Sequence, residues 1–120
     1  MKKLSVAIVV ALLCGAVAMV SVAGARGKAA TTVTIKYNGD GFQGKVKSSK
    51  AKCVKNRTVK VYKQKGSSQN PSTDKKLYTD TSDSDGSWNT GNSGQVQGKF
   101  YAYAKKTDLC KKGFSKTIKV

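Results

Sequence analysis

The 120-residue chain contains no histidine, and because its six acidic residues are all aspartate it contains no glutamate either. Those two absences remove the side chains that most often act as general bases near neutral pH, and with histidine goes a principal ligand for zinc. Aspartate, lysine, serine, threonine and tyrosine remain, and serine and lysine are too plentiful for any Ser–Lys pairing to stand out. Neither an enzyme nor a cofactor-binding protein is expected. Arginine is almost missing as well: Arg26 and Arg57 stand against 21 lysines. That imbalance argues against bidentate, geometric recognition of phosphate or carboxylate, for which a planar guanidinium is suited. Proline occurs once, at Pro71, and tryptophan once, at Trp88.

Long apolar runs are missing after residue 25, and this isolates the one that precedes it. Lys2 and Lys3 lead into "LSVAIVVALLCGAVAMVSVA", followed by small residues up to Ala25. A basic start, an apolar stretch and a small-residue site form the layout of a secretory signal peptide over residues 1–25, cut after Ala25. About 20 apolar residues can also span a bilayer, so an uncleaved anchor is the alternative, and the only membrane role the sequence suggests. Cys14 follows Leu13, where a lipidated cysteine would follow a small residue, so lipidation is not expected. The expected location is secreted, periplasmic or cell-envelope.

Residues 26–120 suffice for one small domain. Loss of Lys2 and Lys3 takes the formal charge from +17 to +15. Such a field draws in polyanions and works against a small compact state by self-repulsion. A covalent staple is therefore expected. Cys53 and Cys110 are the only cysteines after the N-terminal segment, and an exported pair should be oxidised. Closing a loop of that length stabilises by about 4 kcal/mol on the chain-entropy estimate. Two cysteines without histidine do not complete a zinc site, so no metal is assigned.

Hydropathy alternates with period two in short runs bounded by Gly, Asn, Ser and Asp. "TTVTIKY" (31–37) aligns Val33, Ile35 and Tyr37, and "FQGKVKS" (42–48) sets Phe42 and Val46 against Lys45 and Lys47. "RTVKVYK" (57–63) sets Val59 and Val61 against Lys60. "KKLYTDT", "GSWNT", "KFYAYAK" and "SKTIKV" continue the series. Half-buried antiparallel strands have this pattern. Seven of them in one small domain predict an all-β fold, a single antiparallel β-sandwich (prealbumin-like or Ig-like) over residues 31–120, with a small barrel as the other closed arrangement. A signal-peptide helix would precede it. "RGKAA" (26–30) reads as a loose linker, and "GSSQNPS" (66–72) and "GNSGQVQG" (91–98) as solvent loops. In "KFYAYAK", Phe100, Ala102 and Ala104 are expected in the core, leaving Tyr101, Tyr103 and Lys105 as an exposed aromatic and basic row.

Half of all the acidic residues fall in "TDTSDSDGSW" (79–88). Counted back from Gly86, Asp85 and Asp83 fit a calcium loop, but the first ligand position holds Thr81 and no glutamate closes the site. A turn needs only what is present: aspartates to cap the backbone and a glycine for positive φ. Trp88 then opens the next strand with its ring buried.

The stretch "SDSDGSW", with Ser82 in a place often held by threonine, resembles the turn of transthyretin-like and carboxypeptidase regulatory-like domains. "FQGKVKSSKAKCVKNRTVKVYKQKG" is similar to their early strand pair and "GKFYAYAKK" to a later strand. Over about residues 40–120 the pattern also resembles small secreted bacterial proteins built on this sandwich. The resemblance implies an accessory module. One branch of the transthyretin-like proteins hydrolyses hydroxyisourate with histidines and a C-terminal tetrapeptide. This chain has no histidine and ends in "TIKV", so that activity is not implied.

The candidate binding residues are lysines: Lys45, Lys47, Lys50, Lys52, Lys55, Lys60, Lys105, Lys106, Lys111 and Lys112. Converging on one face, they would bind an anionic envelope or extracellular polymer, or an acidic protein, with steep salt dependence. Spread over every outward position, they would be a solvated coat. Tyr62, Tyr101 or Tyr103 among them could stack bases, but export argues against a specific nucleic-acid partner. An accessory domain that meets another exported protein through a strand edge is the alternative.

Overall fold

The computed structural model describes residues 27–120. The expected signal peptide lies outside the described residues. Nine short strands follow: β1 (Thr32–Val33), β2 (Lys36–Tyr37), β3 (Phe42–Lys47), β4 (Thr58–Lys63), β5 (Lys75–Thr81), β6 (Ser87–Asn89), β7 (Lys99–Ala104), β8 (Gly113–Phe114) and β9 (Ile118–Lys119). One 3-10 turn, Ala51–Cys53, precedes β4. The first expected strand is broken in the middle, and a short strand outside the expected series, Gly113–Phe114, precedes the last one. β1 and β2 pair with the same edge of β3, and β8 and β9 with the same edge of β7.

All pairings between these strands are antiparallel. β3 lies between β1/β2 and β6 in the smaller sheet. The larger sheet runs β9-β7-β4-β5, with β8 beside β9. The chain's first, second and fifth strands thus face its third, fourth, sixth and seventh. Apart from the fourth strand, immunoglobulin-like sandwiches divide their strands in the same way.

The period-two pattern is read out directly. Val33, Phe42, Val46 and Trp88 from the smaller sheet meet Val59, Val61, Phe100, Ala102 and Ala104 from the larger one in a single core. Phe42 and Phe100 bridge the two sheets with ring centroids 5.0 Å apart. Burying each such ring is worth about 1.5–3 kcal/mol. Trp88 stands opposite Gly44 across the β3–β6 pair, and a Cβ at Gly44 would strike the indole and the carbonyl of Thr34. The "SDSDG" stretch is the turn between β5 and β6. Asp83 N–H donates to Ser87 O (2.8 Å), Gly86 N–H to Asp83 O (2.9 Å), and Gly86 takes φ +88°. Asp85 accepts from Ser87 N–H; that hydrogen bond, with Lys45 nearby, holds its carboxyl below the usual range.

Two expectations are corrected. The linker at 26–30 is not loose at Ala29, which is buried and hydrogen-bonded through N–H to Leu109 O and through C=O to Lys111 N–H. The 66–72 loop is open to solvent as expected, but its inner side lies on the outer face of the larger sheet. Tyr101, expected in an exposed row, is fully buried beneath it, while Phe100, Ala102 and Ala104 do face the core.

The cause is Asp74. Its carboxylate accepts from the Tyr101 hydroxyl (2.6 Å) and from the backbone N–H groups of Lys65 and Asn70. Gln69 adds bonds to Ser115 O and Thr117 Oγ1. Under this loop Tyr62 and Tyr101 stack at 5.5 Å. A polar, proline-containing segment carries no hydrophobic signal, so a sequence pattern cannot show that it covers tyrosines.

Both sheets, the core and the disulfide lie within residues 27–120, so this stretch holds all that the sandwich needs to fold on its own. Desolvation pushes the Asp74 carboxyl up, but the hydrogen bonds from Tyr101, Lys65 and Asn70 outweigh it and hold the pKa below the ordinary value. A carboxyl depressed in the folded state contributes stability above its unfolded pKa of about 4, and that contribution is lost as pH falls through the folded value. Urea midpoints measured from pH 6 down to pH 2 should therefore fall less steeply for Asp74→Asn than for the parent.

Candidate polyanion-binding end

One end of the sandwich is assembled around a buried cation. Arg57, 1% exposed, directs its guanidinium into the space between three chain segments. Nη1 donates to Thr31 Oγ1 (3.0 Å) and Cys53 O (2.8 Å), and Nη2 donates to Lys105 O and Lys111 O (both 2.9 Å). None of these partners is a carboxylate. Nε has no partner among the described residues. Burial pushes the guanidinium pKa down from its ordinary value, yet arginine remains charged at any physiological pH.

The Cys53–Cys110 disulfide lies in the same layer, with its Cα atoms 5.5 Å apart and both cysteines buried. It joins the 48–57 connection to the 105–112 hairpin. Ala29 runs beside Cys110 in a parallel bridge, and Ser48 Oγ donates to Ala30 O (2.8 Å). On the other side Asn56 N–H donates to Ser82 O and Ser82 Oγ to Val54 O, which brings in the β5–β6 turn. Asn56 takes φ +56° there.

Seven of the ten candidate lysines are carried on these two stapled segments. Lys50, Lys52 and Lys55 come from the first, and Lys105, Lys106, Lys111 and Lys112 from the second; all seven are exposed. Lys28 stands beside them. Three aspartates share this end: Asp108 on the hairpin, and Asp83 and Asp85 on the β5–β6 turn. The other three candidates do not converge. Lys45 and Lys47 alternate with buried Val46 on the outer face of the smaller sheet, and Lys60 alternates with buried Val59 and Val61 on the outer face of the larger one. The core separates these two faces.

At the opposite end, strand register sets Lys63 across from Lys75 and Lys99 across from Lys119. Like charges placed directly opposite are unfavourable, and only pairing reveals them. Of the tyrosines weighed for stacking, Tyr62 and Tyr101 are buried. Tyr103 packs face to face on Phe114, with centroids 4.8 Å apart and 27° between planes, and Lys112 Nζ sits 6.0 Å from the Phe114 centroid. Tyr103 and Phe114 thus each have one face covered by the other.

Searches against protein-family models, curated proteins and solved structures gave no significant match to this chain. The reading of the site therefore rests on its own geometry. No helix among the described residues is long and apolar enough to cross a membrane.

Substitution at the buried cation tests this construction. Arg57→Met removes all four donor contacts and orphans buried carbonyls, and should destabilise the oxidised domain by about 3 kcal/mol or more in urea unfolding. Removing the staple in the Cys53→Ala/Cys110→Ala double variant should lower stability by about 4 kcal/mol.

Proposed function

We propose that the protein is a non-catalytic, exported module that holds polyanions through its disulfide end. One observation carries this reading: the Cys53–Cys110 bridge brings together two lysine-rich segments more than fifty residues apart, placing Lys50, Lys52, Lys55, Lys105, Lys106, Lys111 and Lys112 around one rigid apex. Stapled turns have little backbone freedom left to lose on binding, so more of the lysines' attraction for a polyanion is kept. The disulfide also fits an oxidising compartment outside the cytoplasm. The partner class is an anionic envelope or extracellular polymer. A lysine-based site of this kind selects charge density rather than a planar group.

The alternative, an accessory domain docking by a strand edge, has less support. Each of the four sheet edges among the described residues is blunted. The β5 edge carries Lys75, Lys76 and a bulge opposite Val61–Tyr62, and the β6 edge is three residues long. The β1/β2 and β8/β9 edges are each interrupted. Such features oppose strand addition.

Binding of oxidised residues 27–120 to teichoic acid, polyphosphate, heparin and DNA across a salt series tests the reading. Affinity should fall steeply with salt. Lys105→Gln/Lys106→Gln/Lys111→Gln/Lys112→Gln should reduce the slope of log K against log salt for polyphosphate by roughly 3, taking about 0.7 per lost contact. The matching variant at the other end, Lys63→Gln/Lys65→Gln/Lys75→Gln/Lys99→Gln, should change it little. Equal losses in the two variants would instead make the lysines a general coat.

A further inference from the structure

The lysine-rich apex also presents an apolar side chain. Leu109 is 55% exposed, more than any other large hydrophobic residue among the described ones. Its backbone is held from three sides. Leu109 O accepts from Ala29 N–H (3.0 Å), Leu109 N–H donates to Thr107 Oγ1 (3.3 Å), and the next residue is bonded to Cys53. The side chain borders a shallow hollow of about 420 Å³ whose remaining lining is Gly27, Lys50, Ala51, Lys52 and Cys53. That lining mixes apolar surface with two cations and contains no acidic group. Asp108 is the one acidic residue on the hairpin itself.

A lone exposed leucine is ordinary on a protein surface. This one differs in its setting: it stands at a covalently anchored apex, next to small apolar residues and within a group of lysines. A soluble polyanion would satisfy the lysines and leave Leu109 in water. An anionic lipid surface satisfies both. Its headgroups attract the cations, and an apolar group can enter the boundary between headgroups and acyl chains. Neither signal suffices alone, since stable attachment to a bilayer generally needs an apolar insertion together with a basic patch.

We propose that the disulfide end seats on the surface of an anionic bilayer, with Leu109 entering the headgroup layer and Lys50, Lys52, Lys106 and Lys111 meeting lipid phosphates. This inference rests on the polyanion reading of the same lysines and names the surface they meet. The sequence gives a membrane role only to the N-terminal segment; here the sandwich has one of its own.

The test uses oxidised residues 27–120, free of that segment, in flotation with vesicles of phosphatidylcholine containing 30% phosphatidylglycerol (about 3 in 10 lipids charged, enough for a strong surface potential). Pure phosphatidylcholine vesicles and soluble polyphosphate serve as comparisons. The parent should bind charged vesicles and polyphosphate, and leave neutral vesicles unbound. Leu109→Ser should weaken vesicle binding about tenfold, the scale of losing a partly buried leucine, with polyphosphate binding unchanged and a urea midpoint equal to the parent's, which shows that the variant is folded. Leu109→Trp should show a blue shift of its emission on charged vesicles, against the constant background of buried Trp88. Lys50→Gln/Lys52→Gln/Lys106→Gln/Lys111→Gln should lose both partners. Vesicle binding by Leu109→Ser as tight as the parent's, or a parent that binds polyphosphate and not charged vesicles, would overturn the bilayer inference while leaving the polyanion reading in place. A parent that binds neither polyphosphate nor vesicles would overturn both.

Discussion

The guanidinium of Arg57 is the contact on which one end of this sandwich depends. It donates to Thr31, to Cys53, and to Lys105 and Lys111 of the hairpin, which belong to three separate stretches of chain, and none of these stretches contributes much hydrophobic surface there. The main core lies between the sheets and stops short of this layer; Ala29, Cys53 and Cys110 make only a small cluster of their own. Hydrogen bonds from one buried cation therefore do what apolar packing does elsewhere. Because the acceptors are mainly backbone carbonyls, they also satisfy turn groups that would otherwise be buried without donors.

The disulfide and the guanidinium act on different states. A covalent link between Cys53 and Cys110 mostly limits the unfolded ensemble, whereas the Arg57 bonds stabilise the folded arrangement itself. Together they fix the two segments that carry seven exposed lysines. That rigidity matters for a chain whose surface charges repel one another, since turns with this charge density would otherwise spread apart. A similar economy appears at the opposite end, where Asp74, with Gln69, pins the 64–74 loop over Tyr62 and Tyr101.

Much of the fold was legible because period-two alternation of the core residues survives in β3, β4 and β7. Phe42 and Val46, Val59 and Val61, and Phe100, Ala102 and Ala104 all lie in the core as the pattern predicts. The staple was legible too, since only two cysteines follow the N-terminal segment. The break in the first strand and the short strand before the last one were not. The break depends on Thr34 and Gly44 meeting across a pair, and the short strand ends at Ser115, whose hydroxyl accepts from Ala102 N–H where the ladder would otherwise continue. Tyr101 was misplaced because alternation assigns a side of the sheet and cannot report a polar loop lying on that side. The candidate site was half legible: the lysine runs could be seen, but their convergence follows from the disulfide and the non-convergence of Lys45, Lys47 and Lys60 from sheet geometry. Arg57 gave no signal as a lone charge at the head of a strand.

Its identity does follow from the physics of the position. A lysine there would bring three donors on a strongly hydrated head, and burial would favour its neutral form. The guanidinium brings a planar fork that reaches four acceptors at once and keeps its charge. Carbonyl dipoles solvate that charge without cancelling it, as an aspartate would. The buried cation therefore adds to the potential of the lysines above it instead of subtracting from it. Asp83, Asp85 and Asp108 share this end, but none of them pairs with the guanidinium, so its charge still counts beside that of the exposed lysines. The group that holds the apex together and the groups that would meet an anionic partner then contribute to the same electrostatic surface.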